Sequence, residues 1–181
     1  MIPALRKRVA VGALTLSAGG FSSWAAYEGF TEKPVIPVEG DVPTIGYGST
    51  RYEDGTRVNL DDPAITPKRA EELARNLFKA DEKKFKATIP GVKLHQTEYD
   101  LYLDFVGQYG IGNWKRSSMR RHLLAGNHAK ACDALLMWRY AGGYDCSTRV
   151  NGEPNQRCWG VWKRQIDRHE KCISVQGGKG D

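Results

Sequence analysis

The sequence predicts an α+β protein, mainly helical, with one small β-hairpin in its amino-terminal part. Three observations predict it. Apolar side chains recur at helical spacing, first as Ala70, Leu73, Ala74, Leu77, Phe78 and Phe85 and again as Tyr99, Tyr102, Leu103, Phe105 and Val106. Each set forms one stripe that a helix turns towards a core. A single stretch, Asp41-Val42-Pro43-Thr44-Ile45-Gly46-Tyr47-Gly48, carries the Pro/Gly punctuation and β-branched residues of a hairpin. Finally, 181 residues with 40% hydrophobic and 27% charged side chains have the bulk composition of a soluble globular protein with one core.

At the amino end, Arg6-Lys7-Arg8 precedes Val9 to Ala26, eighteen residues without a charge. That is just within the length a helix needs to cross the hydrocarbon core of a bilayer. Its content of Gly, Ala, Ser and Thr makes insertion marginal, and the basic cluster would stay cytoplasmic while the rest is exported. Ser23-Trp24-Ala25 also resembles a signal-peptide processing site. Cleavage there would leave Glu28 almost at a new terminus, without packing on its amino-terminal side, so retention is favoured.

Beyond the hairpin, residues 49–62 read as a polar loop or a further short strand, with Tyr52-Glu53-Asp54-Gly55 as a turn. Thr66-Pro67 opens the first striped helix, with Thr as N-cap and Pro in its first turn. Ile89-Pro90-Gly91 breaks it. Thr97 is expected to cap the next, aromatic-rich helix, and Gly107, Gly110 and Gly112 to end it and reverse the chain. Ser117 or Ser118 caps a further helix through Leu123 and Leu124, and Asn127 begins another through Ala131, Leu135 and Leu136.

Cys132, Cys146, Cys158 and Cys172 all lie in the carboxy-terminal third, without the close paired spacing of a zinc site. Disulfides Cys132–Cys172 and Cys146–Cys158 are preferred among the three connectivities. The first would tie two helices together, and the second would close the Gly/Pro/Asn-rich loop 147–157. His95, His122, His128 and His169 are scattered among polar residues and read as surface side chains. No metal and no cofactor are implied, and there is no phosphate loop, nucleophile elbow or Cys/His pair.

The chemistry centres on Tyr27-Glu28-Gly29-Phe30 and the hairpin that follows. Glycosidic cleavage needs a carboxylic acid to protonate the leaving oxygen, and a second polar group to handle water or the oxocarbenium-like centre. Glu28 follows the apolar run Trp24-Ala25-Ala26-Tyr27, which offers the desolvation that raises a carboxyl pKa. Spacing alone favours a plainer reading, in which Glu28 is a surface residue in the first turn of a helix.

Tyr27-Glu28-Gly29-Phe30 followed by Pro43-Thr44-Ile45-Gly46-Tyr47-Gly48 resembles the phage lysozymes of glycoside hydrolase family 24, whose pattern is Glu, eight residues, Asp or Cys, five residues, Thr. Three later stretches agree in order: Val106 to Trp114, Cys132 to Gly143 with its Tyr-Ala-Gly-Gly ending, and the Arg-rich run Trp159 to Glu170. The resemblance implies a lysozyme-like fold with a hairpin lobe, a helical lobe and a cleft between them. It also implies a division into 1–26 as basic cluster and weak signal-anchor, 27–175 as catalytic domain and 176–181 as flexible tail. It casts Glu28 as general acid, Asp41 as the residue that orients or activates water, and Thr44 as the residue that positions water or substrate.

One departure bears on mechanism. The pattern puts Pro37 in the second catalytic position, and Thr44 arrives one residue late. The nearby carboxylates are Asp41 and Glu39. Asp41 is preferred, with the alternative that it only satisfies turn amides beside Gly40.

The implied activity is that of an endolysin hydrolysing the β-1,4 bond between N-acetylmuramic acid and N-acetylglucosamine, working as a monomer. The inner membrane would hold it through the N-terminal segment before release into the periplasm. A lytic transglycosylase relying on Glu28 alone, and a non-catalytic membrane-tethered wall-binding module, are the alternatives. The net charge of +6 and pI near 9.2 suit approach to the anionic cell wall. Nucleic acid is not expected as a partner, because the basic residues are not interleaved with aromatics in a compact motif.

Overall fold

The computed structural model describes residues 7–38 and 40–177, so Arg6 and Glu39 lie outside the described residues. The chain forms two compact units. One is Leu16–Phe85; the other combines the residues up to Thr15 with those from Lys86 onwards.

The Leu16–Phe85 unit begins with α1 (Ala18–Glu28), capped by Ser17, whose Oγ accepts the Gly20 N–H at 2.9 Å. A hairpin of β2 (Thr31–Val35) and β3 (Thr44–Gly46) follows, pairing Thr31 with Gly46 and Val35 with Thr44 across a register shift. The loop after it holds the expected turn, with the Gly55 N–H donating to the Tyr52 carbonyl at 3.1 Å. Pro67 then starts α2 (Pro67–Thr88), and the Thr66 Oγ1 accepts the Arg69 N–H at 3.2 Å. Ala70, Leu73, Ala74, Phe78 and Phe85 are buried as the stripe requires, whereas Leu77 is 48% exposed and lies outside the core.

Gly46 shows why the hairpin can lie so close to α2. Its φ is +66°, and a Cβ there would sit 2.8 Å from the Cβ of Ala70. Only glycine meets both demands.

In the other unit, β1 (Val9–Ala10) pairs antiparallel with β4 (Lys93–Leu94), and the Val11 N–H donates to the Val92 carbonyl at 2.9 Å. The central helix α3 (Gln96–Arg116) buries Tyr99, Tyr102, Leu103, Phe105, Val106 and Trp114. Two expectations are corrected here. The cap is His95, not Thr97, because Glu98 reaches back to accept the His95 N–H at 2.8 Å, as the third helical residue does in a capping box. The glycines do not end the helix either: it breaks only at Gly110 (φ 82°) and resumes to Arg116.

Ser117 caps α4 (Ser118–Leu124) through the Arg120 N–H. Next come α5 (His128–Asp133) and a 3-10 turn over Ala134–Met137. Two hairpins follow, β5 (Tyr140–Ala141) with β6 (Tyr144–Asp145), and β7 (Arg149–Val150) with β8 (Glu153–Pro154), the second within the stretch 147–157 expected as loop. Their turns, Gly142-Gly143 and Asn151-Gly152, have positive φ at both central positions, the geometry that matches strand twist in two-residue hairpins. The helix α6 (Trp159–Ser174) closes the unit.

The cysteines are joined as Cys132–Cys172, linking α5 to α6, and Cys146–Cys158, which encloses the β7–β8 hairpin. From their separations of 40 and 12 residues, chain-entropy arguments give roughly 4 and 3 kcal/mol of stabilisation. Full reduction should therefore lower the denaturation midpoint strongly. Urea melts with and without reductant check this, and an unchanged midpoint would contradict it.

Glu98 is the most constrained carboxylate of this unit. It is fully buried, yet faces Arg8 Nε at 3.2 Å, His128 Nδ1 at 3.2 Å and the Gln176 side-chain amide at 2.9 Å, besides the His95 N–H. Burial opposes its ionisation, but the hydrogen bonds from His128, the His95 amide and Gln176 outweigh it and hold the pKa at about 2, against an ordinary 4.5. So His95 and His128 are not plain surface residues, and Gln176, expected in the tail, is bound. A carboxyl depressed in the folded state contributes stability that is complete above its unfolded pKa and lost as pH falls through the folded one. The thermal midpoint should therefore fall between pH 4.5 and 2. In Glu98→Gln that fall should be shallower, and an identical slope in the variant would exclude Glu98 as its source.

Candidate active site

Glu28 is the last residue of α1. Ser, Ala, Trp and Tyr carry the helix to it, and Gly29 then turns the chain out at φ 74°, its N–H donating to the Ala25 carbonyl at 3.3 Å. The carboxylate is solvent-exposed, so the apolar run before it does not bury it in the free protein. Any desolvation has to come from a bound ligand.

What holds this end of α1 in place is aromatic. The Tyr47 ring lies 5.7 Å from Phe21, 5.8 Å from Trp24 and 5.7 Å from Phe30. Trp24 also meets Phe78 of α2 edge-on at 4.9 Å. Tyr47, just after β3, thereby packs against residues on both chain sides of Glu28. Sequence reasoning placed Tyr47 in the motif without giving it a role. The signal was available, since Phe21, Trp24 and Glu28 are spaced to share one side of a helix.

Thr44 begins β3, half-buried, with its Oγ1 donating to the Val35 carbonyl at 3.4 Å. With its proton directed there, the oxygen offers lone pairs to a water or a sugar hydroxyl. Asp41 is exposed on the hairpin tip. Its Oδ1 accepts the Val42 N–H at 2.8 Å and its own N–H donates to the Val38 carbonyl at 3.0 Å. One carboxylate oxygen thus serves the turn, as the bland reading of Asp41 expects, and Oδ2 is left for water. Pro37 stands exposed in the bend before it. Glu28, Asp41 and Thr44 all belong to the Leu16–Phe85 unit.

The one group of metal-ligating types among the described residues, Glu98 with Cys132 and Cys172, has both sulfurs committed to a disulfide.

The phage lysozyme family model matches residues 25–157, which include Glu28, Asp41, Thr44 and both later hairpins. An endolysin of Bacillus phage B103 is 30% identical over 135 residues, 72% of this chain and 48% of that protein. The chain thus spans about half the length of that relative. A SAR-endolysin of bacteriophage PS119 is 27% identical over 177 residues, 91% of this chain and 99% of the relative. Among solved structures, a lysozyme of phage P22 matches with a TM-score of 0.73 at 24% identity, over 88% of this chain and 99% of the other. An endolysin from Escherichia coli O157:H7 phage FAHEc1 matches with a TM-score of 0.68 at 24% identity, over 93% and 99%. Both share the fold.

Proposed function

The chain belongs to the phage lysozyme family, and on that premise we propose that it is an endolysin. It cleaves the β-1,4 bond between N-acetylmuramic acid and N-acetylglucosamine in bacterial peptidoglycan, and so lyses the host cell. The observation that carries this is Glu28: an exposed carboxylate at a helix end, beside the Tyr47 aromatic cluster, inside the stretch that matches the family.

In this reading Glu28 protonates the glycosidic oxygen as the bond breaks. The sugar rings laid over it supply the desolvation that keeps the acid form available. Thr44 Oγ1 accepts from the attacking water, and Asp41 Oδ2 orients or deprotonates it while charge develops at the anomeric carbon. The protein acts as a monomer.

A second reading has a specific observation behind it. With Pro37 in the usual carboxylate position and Asp41 tied to the Val42 amide, Glu28 alone would support a lytic transglycosylase, in which the muramyl 6-hydroxyl replaces water as nucleophile. Mass analysis of fragments released from purified peptidoglycan separates the two. Reducing-end muramic acid identifies hydrolysis, and 1,6-anhydromuramyl ends identify the transglycosylase. Binding to wall material without soluble fragments would leave only a wall-binding module.

We also propose that Val9–Ala26 holds the protein at the host inner membrane before it works in the periplasm. The uncharged run and the SAR-endolysin relative support this reading. In the folded form described here the run is divided among β1, a 3-10 turn, an extended link and most of α1. No helix among the described residues is long and apolar enough to cross a membrane. Membrane fractionation of expressing cells, before and after energy collapse, tests it.

A further inference from the structure

Three helices of the unit that contains α3 to α6 bring metal-ligating side chains to one buried place. Glu98 comes from the start of α3, Cys132 from α5 and Cys172 from α6. A carboxylate oxygen and the two Sγ atoms lie within 4.8 Å of one another, and all three residues are fully buried. His128 stands one turn before Cys132 on α5, so the two share one side of that helix. Its Nδ1 is 3.2 Å from Glu98 Oε1. Two such ligands on one tetrahedral zinc ion stand about 3.3 Å apart, so this pair already has the spacing.

The sulfurs form the Cys132–Cys172 disulfide, and a disulfide sulfur lacks the charge that makes a thiolate a metal ligand. Reduced, the same pair gives two thiolates beside an imidazole and a carboxylate, a donor set that tetrahedral zinc takes. The surroundings suit the charge as well. Glu98 Oε2 faces Arg8 Nε at 3.2 Å, which leaves Oε1 on the side of His128. Two thiolates, one carboxylate, one guanidinium and a dication sum to zero, so no net charge would be buried. The Gln176 amide donates to Oε1 at 2.9 Å and holds the carboxylate in place. The Tyr102 hydroxyl is 3.4 Å from Cys172 Sγ and can donate to a thiolate there. The His128 side chain, 16% exposed, is the edge from which an ion enters.

We propose that the chain with Cys132 and Cys172 reduced binds one zinc ion through these two thiolates, Glu98 and His128. The metal site and the disulfide exclude each other, and the inference does not depend on the lysozyme reading. Binding displaces the two thiol protons. A disulfide-bearing thiol oxidant then takes two electrons from the pair, is itself reduced to a dithiol, and the new sulfur–sulfur bond sets the zinc free. Thiols persist in a reducing cytosol. There the ion ties α3, α5 and α6 together and keeps Cys132 and Cys172 from pairing with Cys146 or Cys158.

The test uses the full chain, kept anaerobic, in its oxidised form and after reduction with a phosphine. The probes are zinc itself and cobalt(II) as its coloured substitute. Expected from the reduced chain are one metal bound per molecule, a thiolate-to-cobalt charge-transfer band and the intense visible bands of tetrahedral cobalt. Zinc should also restore part of the denaturation midpoint that reduction removes. The oxidised chain should show none of this. In Cys146→Ser/Cys158→Ser the signal should persist, and in Glu98→Gln and His128→Ala the affinity should fall at least tenfold. Cys132→Ser/Cys172→Ser should lose the thiolate band, and His128→Ala, at a partly exposed position, decides the matter if that double variant does not fold. A thiolate band that survives loss of Cys132 and Cys172 would overturn the proposal. So would an affinity that Glu98→Gln and His128→Ala leave unchanged, the mark of thiolates on an unfolded chain. A reduced chain that binds no metal refutes it outright.

Discussion

Glu28→Gln should abolish lysis, lowering the rate of glycan cleavage by about 10² to 10⁴-fold or more, the range that general acid catalysis supplies. The amide keeps the shape of the carboxyl group but cannot deliver a proton to the leaving oxygen. Its exposure makes the substitution clean, because a surface change away from buried networks usually shifts stability by less than about 0.5 kcal/mol. Tyr47, Trp24 and Phe30 hold the surrounding backbone through their ring contacts. Turbidity clearing of wall suspensions, run beside a thermal melt, separates lost chemistry from lost fold. A variant that still clears walls at near wild-type rate would remove Glu28 from the mechanism.

Asp104→Ala should produce the largest loss of stability in the molecule's polar interior. One carboxylate holds two buried arginines of α6: Arg164 Nη2 lies 2.6 Å from Oδ1, and Arg168 Nη2 lies 2.6 Å from Oδ2. The Arg168 side chain is only 2% exposed and that of Arg164 9%. Removing the partner of a buried charge costs about 3 to 5 kcal/mol, far more than the pair itself contributes. For a chain of this size that lowers the melting temperature by on the order of 10 °C. Converting all three positions to apolar residues of similar volume should recover most of the loss, because then no charge is stranded. Melts of the single and triple variants check it. A single variant within 1 °C of wild type would show that water reaches these arginines.

The pattern of success in the sequence follows from what each signal depends on. Thr66-Pro67 and the stripe Ala70, Leu73, Ala74, Phe78 were legible because caps and periodicity are local. Leu77 was misjudged because it lies at the edge of that stripe, where tertiary contacts decide burial. Residue type points to Thr97 as a cap, whereas the backward reach of Glu98 fixes the start at His95. Gly107, Gly110 and Gly112 together suggest a helix end, but glycine only permits a left-handed conformation, and Gly110 alone adopts it in that segment. The two small hairpins are not legible despite Gly142-Gly143 and Asn151-Gly152, because two-residue strands are too short to show alternation.

At the site, Glu28, Asp41 and Thr44 were nameable only through the family's pattern, since a Glu after an apolar run is common. The exposure of Glu28 and the Tyr47 contacts beside it depend on how the hairpin folds back on α1. No single stretch of sequence encodes that.

The most direct test of the account is the release of reducing-end muramic acid from purified peptidoglycan by the wild-type protein and by Glu28→Gln under identical conditions. The wild type should release it steadily and the variant none above background, with both proteins melting at the same temperature. Equal release by the two would contradict it.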